Sequence, residues 1–294
     1  MSKVIILGAG AAPGVPSLSC GWGACDPDNP KNIRTRTGTY IEIGSAKILI
    51  DTPPDIRQQM LDNRIKDIDA VLYTHSHADH LHGIDDLREI TRIRLDKMLR
   101  SNGCTDHLHG IYNQDNIINS RELSINCYAS APTAAVIKKR FSYLIASRLK
   151  KQNIFFVPSL ICNTVKANHP FYIKDVKITP LKLLGHTVPS TGYAFNDGEI
   201  VLIADFKTLA SSVFKQIKVR PRLLIIPLTT PFGQPAHAGF DTVMEYIKII
   251  NPEHAVINHM ATECDYNTIN LQTPDFVEPA YDGLTITLDE YKEK

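Results

Sequence analysis

Short apolar runs bounded by glycine, proline or aspartate recur along this chain, and most are too short to be helices. Residues 4–7, Gly38–Ile43, Ala46–Ile50, 70–73 and 124–128 read as strands in the first half. Val176–Leu184, 200–204, 223–228 and 255–258 do so in the second. The runs at 4–7 and 70–73 are apolar throughout, as in buried strands. Gly44-Ser45 joins two of the others into a β-hairpin. Helical character falls at 55–61, with Pro54 near the first turn, and at 83–99, with Ile84, Leu87 and Ile90 apolar. Residues 132–151 and 242–250 also read as helices, and 100–121 is polar and loop-like.

Four of the strands end in residues that bind metals. The run 70–73 leads into Thr74-His75-Ser76-His77-Ala78-Asp79-His80. Val176–Leu184 delivers Gly185-His186, 200–204 delivers Asp205, and 255–258 delivers His259. Imidazole and carboxylate suit borderline divalent ions such as zinc, and one strand end cannot supply a full coordination sphere. In an extended segment residues two apart point the same way, so His75 and His77 can converge on one ion. Asp79 and His80, past the turn, can face a second. Four such endings predict a site along one edge of packed sheets.

Asp51 closes the strand Ile48-Leu49-Ile50, where it either hydrogen-bonds a metal-bound imidazole or caps the turn at Pro53-Pro54. His237 stands in the loop Gly233-Gln-Pro-Ala-His-Ala-Gly239. It is a candidate fifth metal histidine, but the loop setting suits a substrate-facing acid better. His82, His169 and His254 have no strand end or partner pattern and read as surface or supporting residues.

Other features carry competing readings. Gly8-Ala9-Gly10 follows a strand as a dinucleotide-binding loop would, but Pro13, Gly14, Pro16, Ser17 and Ser19 leave no helix N-terminus for a pyrophosphate. The glycines instead let the backbone turn sharply beside the site. Cys20 and Cys25 are either half of a structural metal site or packed thiols. Lys31, Arg34 and Arg36 are either solvated surface or an anion contact. The stretch Asp79-His-Leu-His-Gly-Ile84 reappears as Asp106-His-Leu-His-Gly-Ile111, without the preceding His-x-His and after no strand. It reads as an insertion, in which Cys104, His107 and His109 bind metal only adventitiously. The 132–151 helix carries Lys138, Lys139, Arg140, Arg148, Lys150 and Lys151 with no acidic residue. Such a face is either solvated or steers an anionic substrate or nucleic acid.

Composition narrows the class. With 43% hydrophobic and 21% charged residues in 294, the chain reads as a soluble globular protein of one large domain or two ordinary ones. A net charge of +1 gives no global drive toward nucleic acid or anionic membrane. Six cysteines are too sparse for a disulfide scaffold. Residues 4–7 are too short for a secretory core and no apolar run approaches a membrane span, so a cytoplasmic, enzyme-like protein without membrane contact is expected.

His75, His77, Asp79, His80, His186, Asp205 and His259, in this order, resemble the metallo-β-lactamase-fold hydrolases, and the resemblance runs from Val4 through Tyr281. More narrowly, Gly14-Val15-Pro16, the Cys20/Cys25 loop, Asp51, and His237 placed 22 residues before His259 resemble the phosphoribosyl cyclic phosphodiesterases of the carbon–phosphorus lyase pathway. Trp22-Gly-Ala-Cys-Asp-Pro27, Gly83-Ile-Asp-Asp-Leu-Arg88 and Glu278-Pro-Ala-Tyr-Asp-Gly283 look like a separate bacterial branch beside them.

The resemblance implies an α+β fold, a four-layer αββα sandwich of the metallo-β-lactamase type, as one domain over 1–294 with an insertion around 100–121. It implies two divalent ions, Zn2+ or Mn2+. His75, His77 and His186 would hold one, Asp79, His80 and His259 the other, with Asp205 bridging and Asp51 supporting a ligand. The phosphodiesterases also carry a structural zinc on three cysteines and a histidine. Here Trp22 and Thr262 replace two of those ligands, leaving Cys20 and Cys25, with Cys264 or Asp26 to complete the site.

The expected activity is hydrolysis of a small anionic cyclic or linear phosphodiester by a metal-bridging hydroxide, with His237, Asp79 and Asp205 as the catalytic set. The alternatives are a ribonuclease Z-like tRNA 3′-processing endonuclease, an ester or thioester hydrolase of the same fold, and a non-catalytic metal-binding protein. A homodimer is the expected assembly.

Overall fold

The computed structural model describes residues 2–101, 123–145 and 160–288. Two β-sheets face each other. The first has the order β15-β1-β2-β3-β4-β5-β6, built from Ser2–Gly8 (β1), Gly38–Ile43 (β2), Ala46–Ile50 (β3), Ala70–Leu72 (β4), Ile125–Ser130 (β5), Leu160–Val165 (β6) and Thr285–Leu288 (β15). The second has the order β11-β8-β9-β10-β12-β13-β14, with Phe171–Ile173 (β7) pairing β8. Its strands are Val176–Leu184 (β8), Thr191–Phe195 (β9), Ile200–Leu202 (β10), Thr208–Leu209 (β11), Leu223–Pro227 (β12), His254–Asn258 (β13) and Val277–Pro279 (β14).

Period-two alternation sorts side chains that are apolar on both faces. Val4 and Ile6 of β1 and Ile41 and Ile43 of β2 point inward, where they meet Ile178, Tyr193, Ile200, Ile225 and Val256 of the second sheet. Ile5, Leu7 and Leu49 point outward onto Ile56 of helix α1 (Ile56–Asp62), Leu81 of α2 (Ala78–Leu81), Ile90 of α3 (Leu87–Ser101) and Ile137 of α4 (Ala131–Arg140). On the far side Leu224, Ile226 and Ile257 pack on Val213 of α5 (Ser211–Gln216), Val243 and Ile247 of α6 (Phe240–Ile250), and Ile269 of α7 (Tyr266–Gln272). Strands covered on both faces have no use for polar alternation, which is why they read as continuous apolar runs. The four-layer αββα sandwich is the observed fold.

Two helices depart from the sequence reading. The helix expected over 132–151 ends at Arg140, where Phe141 leaves helical geometry with φ −118° and ψ 38°, and a short 3-10 turn follows at Ser142–Leu144. Residues 146–151 lie outside the described residues. The helix expected over 83–99 is a 3-10 turn, Ile84–Asp86, followed by α3. The repeat at 106–111, with Cys104, His107 and His109, also lies outside the described residues, as does nearly all of the expected insertion. No described helix is long and apolar enough to cross a membrane.

The strand directions place the site. β10, β12 and β13 are mutually parallel, and β8 runs the same way because both it and β10 are antiparallel to β9. Their C-terminal ends therefore open on one edge. β3 and β4 are also parallel, so Asp51 and His75 leave the first sheet together.

Candidate metal centre

The chain past β4 stays extended to His77, with φ −66° and ψ 155°, and then turns into α2, which carries Asp79 and His80. Gly185, at φ 78°, turns the chain between β8 and His186, and a Cβ there would sit 2.5 Å from that of Lys207. Asp51 and His259 hold left-handed backbone, at φ 61° and 56°, an uncommon conformation for non-glycine residues that often marks a functional site.

These turns bring seven side chains into two adjoining groups. His75, His77, His186 and Asp205 form one and Asp79, His80 and His259 the other, each with its ligand atoms within 4.8 Å of one another. In the first, His77 Nδ1 lies 3.1 Å from both His75 Nε2 and His186 Nε2. In the second, His80 Nε2 lies 3.3 Å from His259 Nε2, and Asp79 Oδ2 lies 3.4 and 3.5 Å from those two nitrogens. Asp205 stands between them. Its Oδ2 is 3.9 Å from His75 Nε2 and His186 Nε2 and 3.8 Å from His80 Nε2, while its Oδ1 is 3.5 Å from His259 Nε2.

Each imidazole gives its outward nitrogen to a partner. His80 Nδ1 meets Asp51 Oδ2 at 2.7 Å, and His75 Nδ1 meets Thr74 Oγ1 at 3.0 Å. His77 Nε2 meets Thr187 Oγ1 at 3.1 Å, His259 Nδ1 meets Thr229 Oγ1 at 3.2 Å, and His186 Nδ1 lies 3.3 Å from the Ala236 carbonyl. Asp51 is itself held by Thr74, whose backbone N–H and hydroxyl donate to it at 2.8 and 2.7 Å. Outer bonds of this kind fix the tautomer that presents a lone pair inward. Asp205 Oδ1 is buried and accepts no hydrogen bond, a condition a cation would relieve. The residues present fit two divalent ions.

Electrostatics agree. Burial alone would raise the carboxyls of Asp79 and Asp205, but the surrounding imidazoles hold both well below the usual carboxylate range, so they are anionic. Burial and neighbouring imidazoles lower His75 and His77, keeping them neutral as ligands require. His80 is the exception: burial would lower it too, but Asp51 and Asp79 raise it well above its ordinary value, so an ion bound there would displace a proton from its ring.

A cleft of about 520 Å³ opens over this centre, and His237 lines it opposite Ser17 and Cys20. Burial lowers the His237 imidazole to about 4. It lies outside both ligand groups, with Nδ1 3.1 Å from Thr229 Oγ1. Lys207 Nζ ties its loop by donating to the carbonyls of Gln234 and His237. Lysine and arginine are absent from the cleft's lining among the described residues.

The cysteines expected to complete a structural metal site do not gather. Cys20 is exposed, and no group of potential ligands among the described residues includes a cysteine. The guanidinium of buried Arg34 fills the space instead, donating from Nη2 to Cys25 Sγ at 3.0 Å and to the Cys264 carbonyl at 2.7 Å. Burial pushes the Cys25 thiol up and that of Cys264 to about 12, so neither is a ready thiolate. Nor do Lys31, Arg34 and Arg36 form an anion contact. Lys31 lies over the rings of Tyr266 and Tyr281, and Arg36 pairs with Asp55. The threonines 74, 187 and 229 were not singled out from the sequence, where a hydroxyl has no pattern of its own.

Residues 46–100, which include the His75 to His80 segment, match the family described as "Beta-lactamase superfamily domain". Among solved structures the chain is similar to a diphosphatase from the PhnP family, with a TM-score of 0.78 and 23% identity over 98% of both chains. The chain carries the metallo-β-lactamase fold. Zinc-bound PqqB from Methylobacterium extorquens shares this metallo-β-lactamase fold with a TM-score of 0.67 and 18% identity, over 97% of this chain and 100% of that one. The octanoyltransferase of Porphyromonas gingivalis is 29% identical over 290 residues, which is 98% of this chain and 52% of that protein. The metallo-β-lactamase-fold chain thus spans about half the length of that relative.

Proposed function

We propose that this chain is a two-metal hydrolase of small phosphodiesters. The observation that carries the reading is buried Asp205, whose Oδ2 lies 3.9 Å from His75 and His186 and 3.8 Å from His80 while Oδ1 lies 3.5 Å from His259, so that one carboxylate reaches both ligand groups. His75, His77 and His186 would hold one ion and Asp79, His80 and His259 the other, with Asp205 within reach of both. The chemistry two bound divalent ions supply is Lewis acidity, a nucleophile generated from water at neutral pH and relief of charge on phosphoryl oxygens.

The chain's own residues do the rest. The cleft, within the size range of small-molecule sites, suits a small ester. Without lysine or arginine in its described lining, it leaves the substrate's charge to the centre itself. His237 faces the leaving side, where it donates a hydrogen bond to developing charge or to the departing oxygen. Similarity to a diphosphatase from the PhnP family supports phosphorus chemistry.

The test combines metal analysis with a screen of cyclic and linear phosphodiesters, bis(p-nitrophenyl) phosphate and an acyl thioester, with zinc, manganese and nickel. Diester turnover at two ions per chain is expected. His237→Ala should keep both ions and lose on the order of 10²- to 10³-fold in turnover. Turnover of the thioester alone, or none with any metal, would overturn the reading.

A further inference from the structure

We infer that the Thr229 hydroxyl sets the tautomer of His237, placing its proton on Nε2 so that a ring N–H, rather than a lone pair, faces the cleft. The inference rests on the proposed role of His237.

Thr229 lies two residues past the end of β12, with its Oγ1 3.1 Å from His237 Nδ1 and 3.2 Å from His259 Nδ1. These two contacts constrain each other. His259 turns Nε2 toward Asp79, His80 and Asp205, so as a ligand it must offer the Nε2 lone pair and carry its proton on Nδ1. That proton is donated to Thr229 Oγ1. A hydroxyl has two lone pairs and one proton, and since Thr229 Oγ1 has no other acceptor within hydrogen-bond distance among the described residues, that proton goes to His237 Nδ1 instead of being left unbonded. An imidazole that accepts at Nδ1 while neutral bears its hydrogen on Nε2.

The backbone holds both ends of this chain of bonds in place. The Thr229 carbonyl accepts from Ala261 N–H at 3.1 Å. On the other side, Gln234 and His237 exchange backbone hydrogen bonds of 3.0 and 3.2 Å, and Ala238 N–H donates to the Phe206 carbonyl at 2.9 Å. Thr229 is thus a positioning residue. It acts through His237, by ordering the proton of that ring.

The experiment uses the zinc-loaded full chain with histidine ring nitrogens labelled with 15N, whose chemical shifts separate N–H from bare nitrogen. The His237 signals are those lost in His237→Ala. Wild type and Thr229→Ser should show Nε2–H and bare Nδ1. Thr229→Val, which keeps the shape and removes the hydroxyl, should shift toward Nδ1–H or a mixture, measured at zinc saturating both sites because the same hydroxyl also supports His259. A wild-type Nδ1–H or an unchanged Thr229→Val spectrum at saturating zinc would each overturn the inference.

Kinetics separate it from the reading beneath it. On a diester with an alkyl leaving group, Thr229→Val should lose roughly tenfold or more in kcat at similar KM, and less on a p-nitrophenyl ester. Thr229→Ser should restore kcat, and Thr229→Val should add nothing to His237→Ala. If His237→Ala leaves alkyl-ester turnover unchanged, the role of His237 fails. If it lowers turnover and Thr229→Val does not, only the role of Thr229 fails.

Discussion

The five imidazoles of the centre are held by partners of unequal strength. A carboxylate holds His80, whereas hydroxyls and a carbonyl hold the other four. Ionic hydrogen bonds are shorter and stronger than neutral ones, so the second ligand group depends most on its outer partner. Asp51→Asn should weaken binding of the ion at Asp79, His80 and His259 by about 10- to 100-fold and leave the other ion nearly unaffected. Competition titration against a chromophoric chelator, resolving two affinities, would check this. Equal loss at both sites would contradict it. The difference between the two kinds of partner also governs what the sequence reveals. His75, His77, Asp79 and His80 stand out because four ligands in six positions have few other uses. Thr74, Thr187 and Thr229 do not, since a threonine hydroxyl bonds whatever lies near it and only the folded geometry says which. Asp51 had two readings, and its contact with His80 favours that of a ligand's partner.

At the scale of elements, both-faced burial made the strands legible, and long-range contact made other features opaque. β4, β8, β10 and β13 appear as apolar runs because each is covered on two sides. The end of α4 at Arg140 is hidden because Phe141 and the residues after it carry no breaker such as glycine or proline. Arg34 is the sharper case. It lies between lysine and arginine neighbours in a stretch that reads as surface, yet its guanidinium bonds carbonyl and thiol groups, the carbonyl 230 residues away. Removing the guanidinium leaves the buried Cys264 carbonyl and Cys25 thiol without their donor. Arg34→Leu should cost roughly 2 kcal/mol in denaturant unfolding. Metal analysis of the folded fraction should still give two ions per chain, and a third ion in the wild type, lost in the variant, would show that a structural site exists after all.

Across the whole molecule the two ligand groups draw on both sheets. His75, His77, Asp79 and His80 follow β4 in the first sheet, and His186, Asp205 and His259 follow β8, β10 and β13 in the second. Bound ions would therefore bridge the layers as well as serve chemistry. If each ion is present at 100 times its dissociation constant, the pair adds about 5 kcal/mol, and stripping both with a chelator should lower Tm by roughly 10 °C. Calorimetry before and after chelation would show the change, and re-addition of zinc should reverse it. An unchanged Tm would mean that the native state binds no ion tightly.

His80 and His259 meet at 3.3 Å although 179 positions separate them along the chain. During synthesis, a ribosome that has released only β1 to β6 has delivered four ligands and neither the bridging carboxylate nor either distant histidine. An ion arriving then would meet four of the seven candidate ligands. Under the proposed function, firm capture would wait until β13 lies beside β12, so a chain cut short before β13 would hold metal only weakly.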